Sequence, residues 1–292
     1  MSVHAFVFPG QGSQSVGMGQ ALHEAFASAR AVFQEVDDAL ETHLSKLMFA
    51  GDADELTQTE NAQPALFAVS MATVRALEAE GAFRLSDKAA LVAGHSLGEY
   101  SALAAAGTLG IAEGARLLRL RGQAMQRAVP AGEGGMAALL GVDEEQAASI
   151  CTDAAQGETL EIANDNGGGQ IVISGHIGAI DRAIALAKER GIKRAVKLPV
   201  SAPFHSSLMA PAAREMEEAL GVAKISAPAI PVIANVTAAK ATDPAAIRDL
   251  LVRQVTGTVR WRESVQAMAA MGVTNMHELG SGKVLCGLAR RI

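Results

Sequence analysis

The chain has 292 residues, 49% hydrophobic but only 3% aromatic, and 25 Lys and Arg against 31 Asp and Glu give a formal charge of −6. That balance excludes a general nucleic-acid binder, which needs a basic footprint, while leaving room for a local basic patch facing an acidic partner. The length is enough for one large domain, or one large and one small, around an aliphatic core.

In chain order, residues 3–8 alternate like a buried strand and stop at the turn Pro9-Gly10-Gln11-Gly12-Ser13. Helical patterns follow over about 19–49 and 61–81. The apolar run 89–93 leads into Gly94-His95-Ser96-Leu97-Gly98, and helices are predicted over about 97–106 and 112–128. Strands separated by helices predict a mostly parallel sheet. Near Pro130 the texture loosens, at Gly132, Gly134 and Gly135. The next stretch reads as a unit of its own: strand 136–140, helix 144–155, strands 160–163 and 170–174 around the glycine-rich loop 164–169, helix 180–190 and strand 194–198. That order is ferredoxin-like. A loop around His205, a helix over about 208–220 and further strand and helix signals return the chain to the first domain. The expected architecture is α/β: a large domain from 1–128 and 200–292, and a ferredoxin-like small domain over 129–199.

Cys151 and Cys286 stand in no CxxC pair, so neither a zinc site nor a redox motif is signalled and two reduced thiols of a cytoplasmic protein are expected. The opening lacks the cationic segment of a signal peptide. No apolar run reaches about 18 residues, so no membrane helix is expected.

Gly94-His95-Ser96-Leu97-Gly98 is a G-x-S-x-G elbow with an apolar strand before it and a helix former after it. Such a turn lifts a serine hydroxyl above the sheet edge and sets it at a helix N-terminus, where free N–H groups stabilise an oxyanion. Ser96 is therefore the candidate nucleophile, and it needs a base. His176 sits at a helix start, where capping explains it, and His277 lies in an apolar run, where packing explains it. His205 lies in a loop after a strand, the usual place for a catalytic group. No acid is placed in sequence to orient it. On the helix over 114–128, Leu117, Leu118, Leu120, Ala124, Met125 and Ala128 form one stripe with Arg121 in its middle, while Arg116, Arg119, Gln123, Gln126 and Arg127 fall on the other side. A guanidinium on an apolar face needs an anion. It is met either by a distant Asp or Glu or by a substrate carboxylate held through paired hydrogen bonds. Met125, on the same stripe, is a further substrate-side candidate. Gly10-Gln11-Gly12-Ser13-Gln14 misses the dinucleotide fingerprint at Ser15; beside a serine nucleophile, a second loop of this kind can complete an oxyanion hole. Gly280-Ser281-Gly282-Lys283 matches only part of a phosphate loop and reads as structural.

The order and spacing of these motifs resemble the malonyl-CoA:acyl-carrier-protein transacylase family of type II fatty-acid synthesis. The resemblance runs nearly end to end. It covers the Phe8 to Gln14 motif, the elbow through Glu99-Tyr100, Arg121-Gly122, Pro199-Val200-Ser201-Ala202-Pro203-Phe204-His205, Leu251-Val252-Arg253-Gln254, and the closing Glu278-Leu279-Gly280-Ser281-Gly282-Lys283-Val284-Leu285. It implies an α/β-hydrolase-like large domain with a ferredoxin-like insert. Ser96 would be the nucleophile and His205 the base, oriented by a main-chain carbonyl near Gln254 rather than by an acid. The N–H groups of Gln11 and Leu97 would form the oxyanion hole, Arg121 would bind the malonyl carboxylate, and Asn164 would lie nearby. Phe204 matches the residue that malonyl-selective relatives carry before the histidine. Ser281 departs from the family's usual Pro, a change expected to touch only a turn.

The resemblance implies ping-pong transfer from malonyl-CoA, a coenzyme A thioester, to the thiol of an acidic acyl carrier protein, without metal or redox cofactor; separately, a cytoplasmic monomer is expected. Arg116, Arg119, Arg127, Lys193 and Arg194 are candidates for docking the carrier. Alternatives from the same residues are a malonyl acyltransferase of a polyketide or malonate pathway, a serine esterase or thioesterase, and a non-catalytic carrier-binding subunit.

Overall fold

The computed structural model describes residues 2–200 and 202–292. After β1 (His4–Phe8) come α1 (Gln20–Ala25), α2 (Ala27–Leu40), α3 (Leu44–Ala50), α4 (Ala53–Thr57) and the long α5 (Thr59–Gly81). The stretch expected as one helical pattern over 19–49 is thus three helices. Phe26 breaks it with extended backbone, and Glu41 ends α2 in the left-handed region at φ 51°. Next are β2 (Ala89–Gly94), α6 (Gly98–Ala105) and α7 (Ile111–Arg127). The middle of the chain gives β3 (Gly134–Leu140), α8 (Glu144–Ala155), β4 (Leu160–Asp165), β5 (Gln170–His176), α9 (Ile177–Glu189) and β6 (Arg194–Lys197). The remainder is α10 (Ala210–Val222), β7 (Val232–Ala234), β8 (Ala239–Ala241), α11 (Pro244–Thr256), β9 (Val259–Arg260), α12 (Trp261–Ala270), β10 (Asn275–Glu278) and α13 (Val284–Ala289).

These strands form two five-stranded sheets in a mixed α/β fold. The first runs β10-β1-β2-β7-β8, parallel except at the β7–β8 edge. Its central strands are apolar from Ala5 to Phe8 and from Ala89 to Gly94 because both faces are covered, as a parallel sheet requires. Phe6, Phe8 and Val92 enter the large core, while Ala5, Val7, Leu91 and Ala93 face Trp261, Met268, Leu285 and Leu288. The second sheet runs β6-β3-β5-β4-β9 and is antiparallel except where β4 meets β9. Its own core lies under α8 and α9 around Leu139, Ile150, Ile171, Ile173 and Ile180. The two residues of β9 come from beyond the expected small segment, pairing Asn164 with Val259 and Asp165 with Arg260.

This arrangement fixes where a site can form. Phe8 is in register with Gly94, so the loops leaving β1 and β2 lie side by side at the carboxyl end of the parallel sheet. Crevices at that end are where open α/β sheets bind ligands. The closing loop joins them, since the Ser281 hydroxyl donates to the Ser13 carbonyl at 2.7 Å. Ser281 therefore ties two turns together as well as forming one.

Candidate active site

The elbow is as sharp as its spacing predicts. Ser96 sits at φ 53°, a left-handed conformation that is strained for a residue with a Cβ and persists only where the surroundings enforce it. Two glycines make the turn possible. A Cβ on Gly94 would lie 1.9 Å from the Gly98 carbonyl oxygen, and one on Gly98 would lie 2.2 Å from that of Phe8. Asn235, just after β7, holds the turn: its Oδ1 accepts the Ser96 N–H at 2.7 Å and its Nδ2 donates to the Gly94 carbonyl at 2.6 Å. Asn235 carries no motif in the sequence, and its role appears only when β7 pairs with β2.

His205 is buried and also left-handed, at φ 57°. Its Nε2 lies 2.8 Å from Ser96 Oγ, and its Nδ1 lies 2.9 Å from the Gln254 carbonyl and 3.2 Å from that of Gly257. A carbonyl can only accept, so Nδ1 carries the proton. Nε2 is left bare to accept from the serine hydroxyl. Burial, with the positive charge of Arg121 behind it, pushes His205 down to about 3, so the ring is neutral at physiological pH. Ser201, named among the residues before His205, lies outside the described residues.

Arg121 is 1% exposed. Its Nη1 donates to Gln63 Oε1 at 2.7 Å, and its Nη2 donates to Gln254 Oε1 at 3.0 Å and to Ser96 Oγ at 3.1 Å. The guanidinium also lies 5.8 Å from the centre of the Tyr100 ring. Among the described residues no carboxylate forms an ion pair with it. Of the two partners open to it in the sequence, the structural ion pair is therefore missing. Burial lowers its pKa, with partial compensation from Tyr100 and Glu99.

These groups open onto a cleft of about 250 Å³ lined by Gln11, Leu97, Met125, Asn164 and Phe204 together with Ser96, Arg121 and His205. Every catalytic and substrate-binding candidate except Gln254 lines it, and Gln254 lies wholly buried behind His205 and Arg121, while none of the carrier-docking candidates reaches it. The N–H groups of Gln11 and Leu97 make no hydrogen bond among the described residues, as donors awaiting an oxyanion would. The Thr59 hydroxyl donates to Gln11 Oε1 at 3.1 Å and in turn accepts from Gln63. The first loop and the arginine thus share one network, in which Thr59 and Gln63 have no motif to mark them.

Three histidines differ from their sequence reading or exceed it. His176 makes no side-chain cap; it accepts the Thr159 N–H at 3.0 Å instead. His277 is exposed, 2.9 Å from His4 and stacked on Phe6, because β10 is an edge strand. His95, within the elbow, donates to Asn166 Oδ1 at 2.8 Å, and burial lowers its pKa.

Residues 5–280 match the model of the acyl transferase domain. A malonyl CoA-acyl carrier protein transacylase of Bacillus subtilis is 47% identical over 100% of this chain and 91% of its own length. The crystal structure of an acyl-carrier-protein S-malonyltransferase from Bartonella henselae has a TM-score of 0.97 at 57% identity, covering 99% of this chain and 92% of that one. A type II PKS acyl-carrier protein in complex with its malonyl-transacylase gives 0.96 at 42%, covering 100% and 93%. With Ser96, His205 and Arg121 at one cleft on a fold shared to this degree, the chain belongs to the acyl transferase domain family and, within it, to the malonyl-CoA:acyl-carrier-protein transacylases.

Proposed function

We propose that this protein transfers malonyl from malonyl-CoA to the phosphopantetheine thiol of acyl carrier protein through an ester on Ser96. The observation that carries this reading is Arg121: a buried guanidinium within 3.1 Å of the candidate nucleophile, with no carboxylate in direct contact among the described residues. An acyl group that ends in its own carboxylate supplies the missing charge through strong paired hydrogen bonds. It also brings its thioester carbonyl to Ser96.

Neutral His205 takes the Ser96 proton as Oγ attacks the thioester carbonyl. The developing oxyanion is met by the N–H groups of Gln11 and Leu97, and the protonated ring returns its proton to the departing thiolate of CoA. In the second half the carrier thiol gives its proton to His205 and attacks the ester, and Ser96 leaves as the restored hydroxyl. Met125 and Phe204 supply apolar walls, and Asn164 lines the cleft beside them. The chemistry needs no metal or redox cofactor.

The same reading takes the fold as an α/β-hydrolase-like domain over 1–128 and 200–292 with a ferredoxin-like domain over 129–199. The strand order β6-β3-β5-β4 and the separate core under it support the second part. The reading also takes the protein as a cytoplasmic monomer; no helix among the described residues is long and apolar enough to cross a membrane. The complex of a malonyl-transacylase with a PKS carrier protein supports a polyketide carrier as a second acceptor for the same chemistry.

Mass spectrometry of the intact protein after brief exposure to malonyl-CoA tests the reading. A malonyl adduct is expected on the wild type, none on Ser96→Ala, and added carrier protein should discharge it. Free malonate and CoA without carrier acylation would establish a hydrolase instead.

A further inference from the structure

Among the described residues no acid hydrogen-bonds His205, yet one lies beneath the elbow. Glu99, three residues past the nucleophile in the first turn of α6, is 3% exposed. Its Oε2 accepts the main-chain N–H of Asn235 at 3.0 Å and the side-chain amide of Gln254 at 2.8 Å. Those two residues hold the site. Asn235 braces the N–H of Ser96. Gln254 donates to the Ser96 carbonyl at 3.0 Å, accepts from Arg121, and offers its own carbonyl to His205.

The chemistry of the donors makes the arrangement directional. A carboxylate only accepts, and a guanidinium only donates. An ionised Glu99 therefore turns the Gln254 Nε2 toward itself and the Oε1 toward Arg121. A protonated Glu99 holds the Gln254 amide through a neutral rather than a charged hydrogen bond, so its grip weakens, while the Ser96 carbonyl and Arg121 keep the same orientation. We propose that Glu99 is a positioning residue of the transfer reaction: as a carboxylate it locks the Gln254 side chain, and so holds Arg121 in place for the substrate carboxylate while fixing the segment whose carbonyl orients His205. This rests on the malonyl-transfer reading for the role of Arg121, but the lock on Gln254 and His205 does not require a malonyl substrate.

Burial raises Glu99 to about 7, against the opposing hydrogen bonds of Asn235 and Gln254 and the charge of Arg121. The groups facing it are Arg121 from α7, Tyr100 beside it in α6, and the neutral Asn235 and Gln254. With His205 held at about 3, loss of activity just below neutral pH belongs to Glu99 rather than to the base. The stability consequence has the opposite sign. A carboxyl whose folded pKa lies above its unfolded one costs stability as pH rises between the two, and the full cost is present above the folded value. Removing the charge at alkaline pH should therefore stabilise the fold while weakening catalysis.

The experiment compares wild type, Glu99→Gln and Glu99→Ala from about pH 5.5 to about pH 8.5, the range that brackets the titration. Three quantities are read: malonyl transfer, labelling of Ser96 by a sulfonyl fluoride, and melting temperature. The isosteric Glu99→Gln keeps an acceptor but loses the charge, and it decides the matter if Glu99→Ala does not fold. Wild-type transfer and labelling should fall on the acid side with a midpoint near 7. Glu99→Gln should lose about tenfold at alkaline pH, the difference between a charged and a neutral hydrogen bond. It should lack the acid limb, meet the wild type at low pH, and melt no lower than the wild type at alkaline pH. Glu99→Ala should lose about 100-fold, as misplaced reacting groups do. Wild-type rates for Glu99→Gln at alkaline pH, or an acid limb that survives in it, would overturn the proposal. So would losses that track a lowered melting temperature at every pH. A wild type that takes up no malonyl, yet labels with an acid limb that Glu99→Gln abolishes, would reject the malonyl reading and still support the positioning role.

Discussion

The two sides of α7 treat the same side chain in opposite ways. On the outer side two exposed arginines are matched by acids, Arg116 lying near Glu113 and Arg127 pairing with Glu215 at 2.7 Å, while the half-buried Arg119 donates to Asn61 at 2.6 Å with the charge of Glu60 nearby. On the inner side Arg121 is buried among amide oxygens and a hydroxyl, with no carboxylate in contact. Exposed pairs contribute about 0–1 kcal/mol because solvent already satisfies both charges. A buried cation has no such relief, so leaving it without an anion is costly unless a ligand brings one. One helix thus carries ordinary surface charge on one face and an unmet electrostatic demand on the other, and the demand identifies the function.

The largest effect should come from testing that demand directly. Arg121→Ala should lower kcat/KM for malonyl-CoA by on the order of 10²- to 10³-fold, the equivalent of about 2–5 kcal/mol for truncating one member of a buried hydrogen-bonded charge pair. Acetyl-CoA, whose acyl group has no carboxylate, should lose far less. Arg121→Lys should recover little, because a single ammonium cannot reproduce the paired geometry. Rates with the two thioesters side by side give the answer, and equal losses for both would reduce Arg121 to a structural residue.

A smaller effect belongs to the wall of the same cleft. Phe204 is buried next to His205 and lines the cavity. Replacing it with Ser should shift the malonyl to methylmalonyl ratio of kcat/KM toward methylmalonyl by about 1–3 kcal/mol, the range available to one methyl in an apolar pocket. Competition between the two thioesters measures this shift. An unchanged ratio would place the methyl-discriminating surface elsewhere in the cleft.

The contrast between the faces also accounts for what could be read in advance. Arg121 was legible because a 3.6-residue period puts one charge in an apolar stripe. The elbow was legible because Gly94 and Gly98 stand at fixed spacing around the serine and Gly94 meets Gly98 within the turn itself, although the contact that demands Gly98, with the Phe8 carbonyl, is long-range. Asn235, Gln63 and Thr59 were not, since each acts on a group that only the fold brings near; Asn235 lies 139 residues from Ser96. Glu99 stood inside a recognised motif, but an acid in a first helical turn reads as a dipole partner, and its contacts with Asn235 and Gln254 exist only in three dimensions. The helix breaks at Phe26 and Glu41 carry no Gly or Pro to announce them, and the two-residue β9 is too short for any alternation to show.

The smallest effect is expected on the outer face, and it is the control for the comparison. Arg127→Ala breaks a pair whose side chains are 56% and 41% exposed. Water and salt already screen both charges, so unfolding stability should change by no more than about 1 kcal/mol and acylation of Ser96 by malonyl-CoA should be unaffected. If the outer arginines meet the acidic carrier, the change should instead appear as a raised KM for carrier protein that grows weaker with salt, since exposed attractions are screened over about 10 Å at 0.1 M ionic strength. Chemical denaturation together with KM for each substrate separates these outcomes. A loss in the acylation half-reaction would mean that the two faces are coupled through the helix, and the division between a matched outer side and an open inner one would fail.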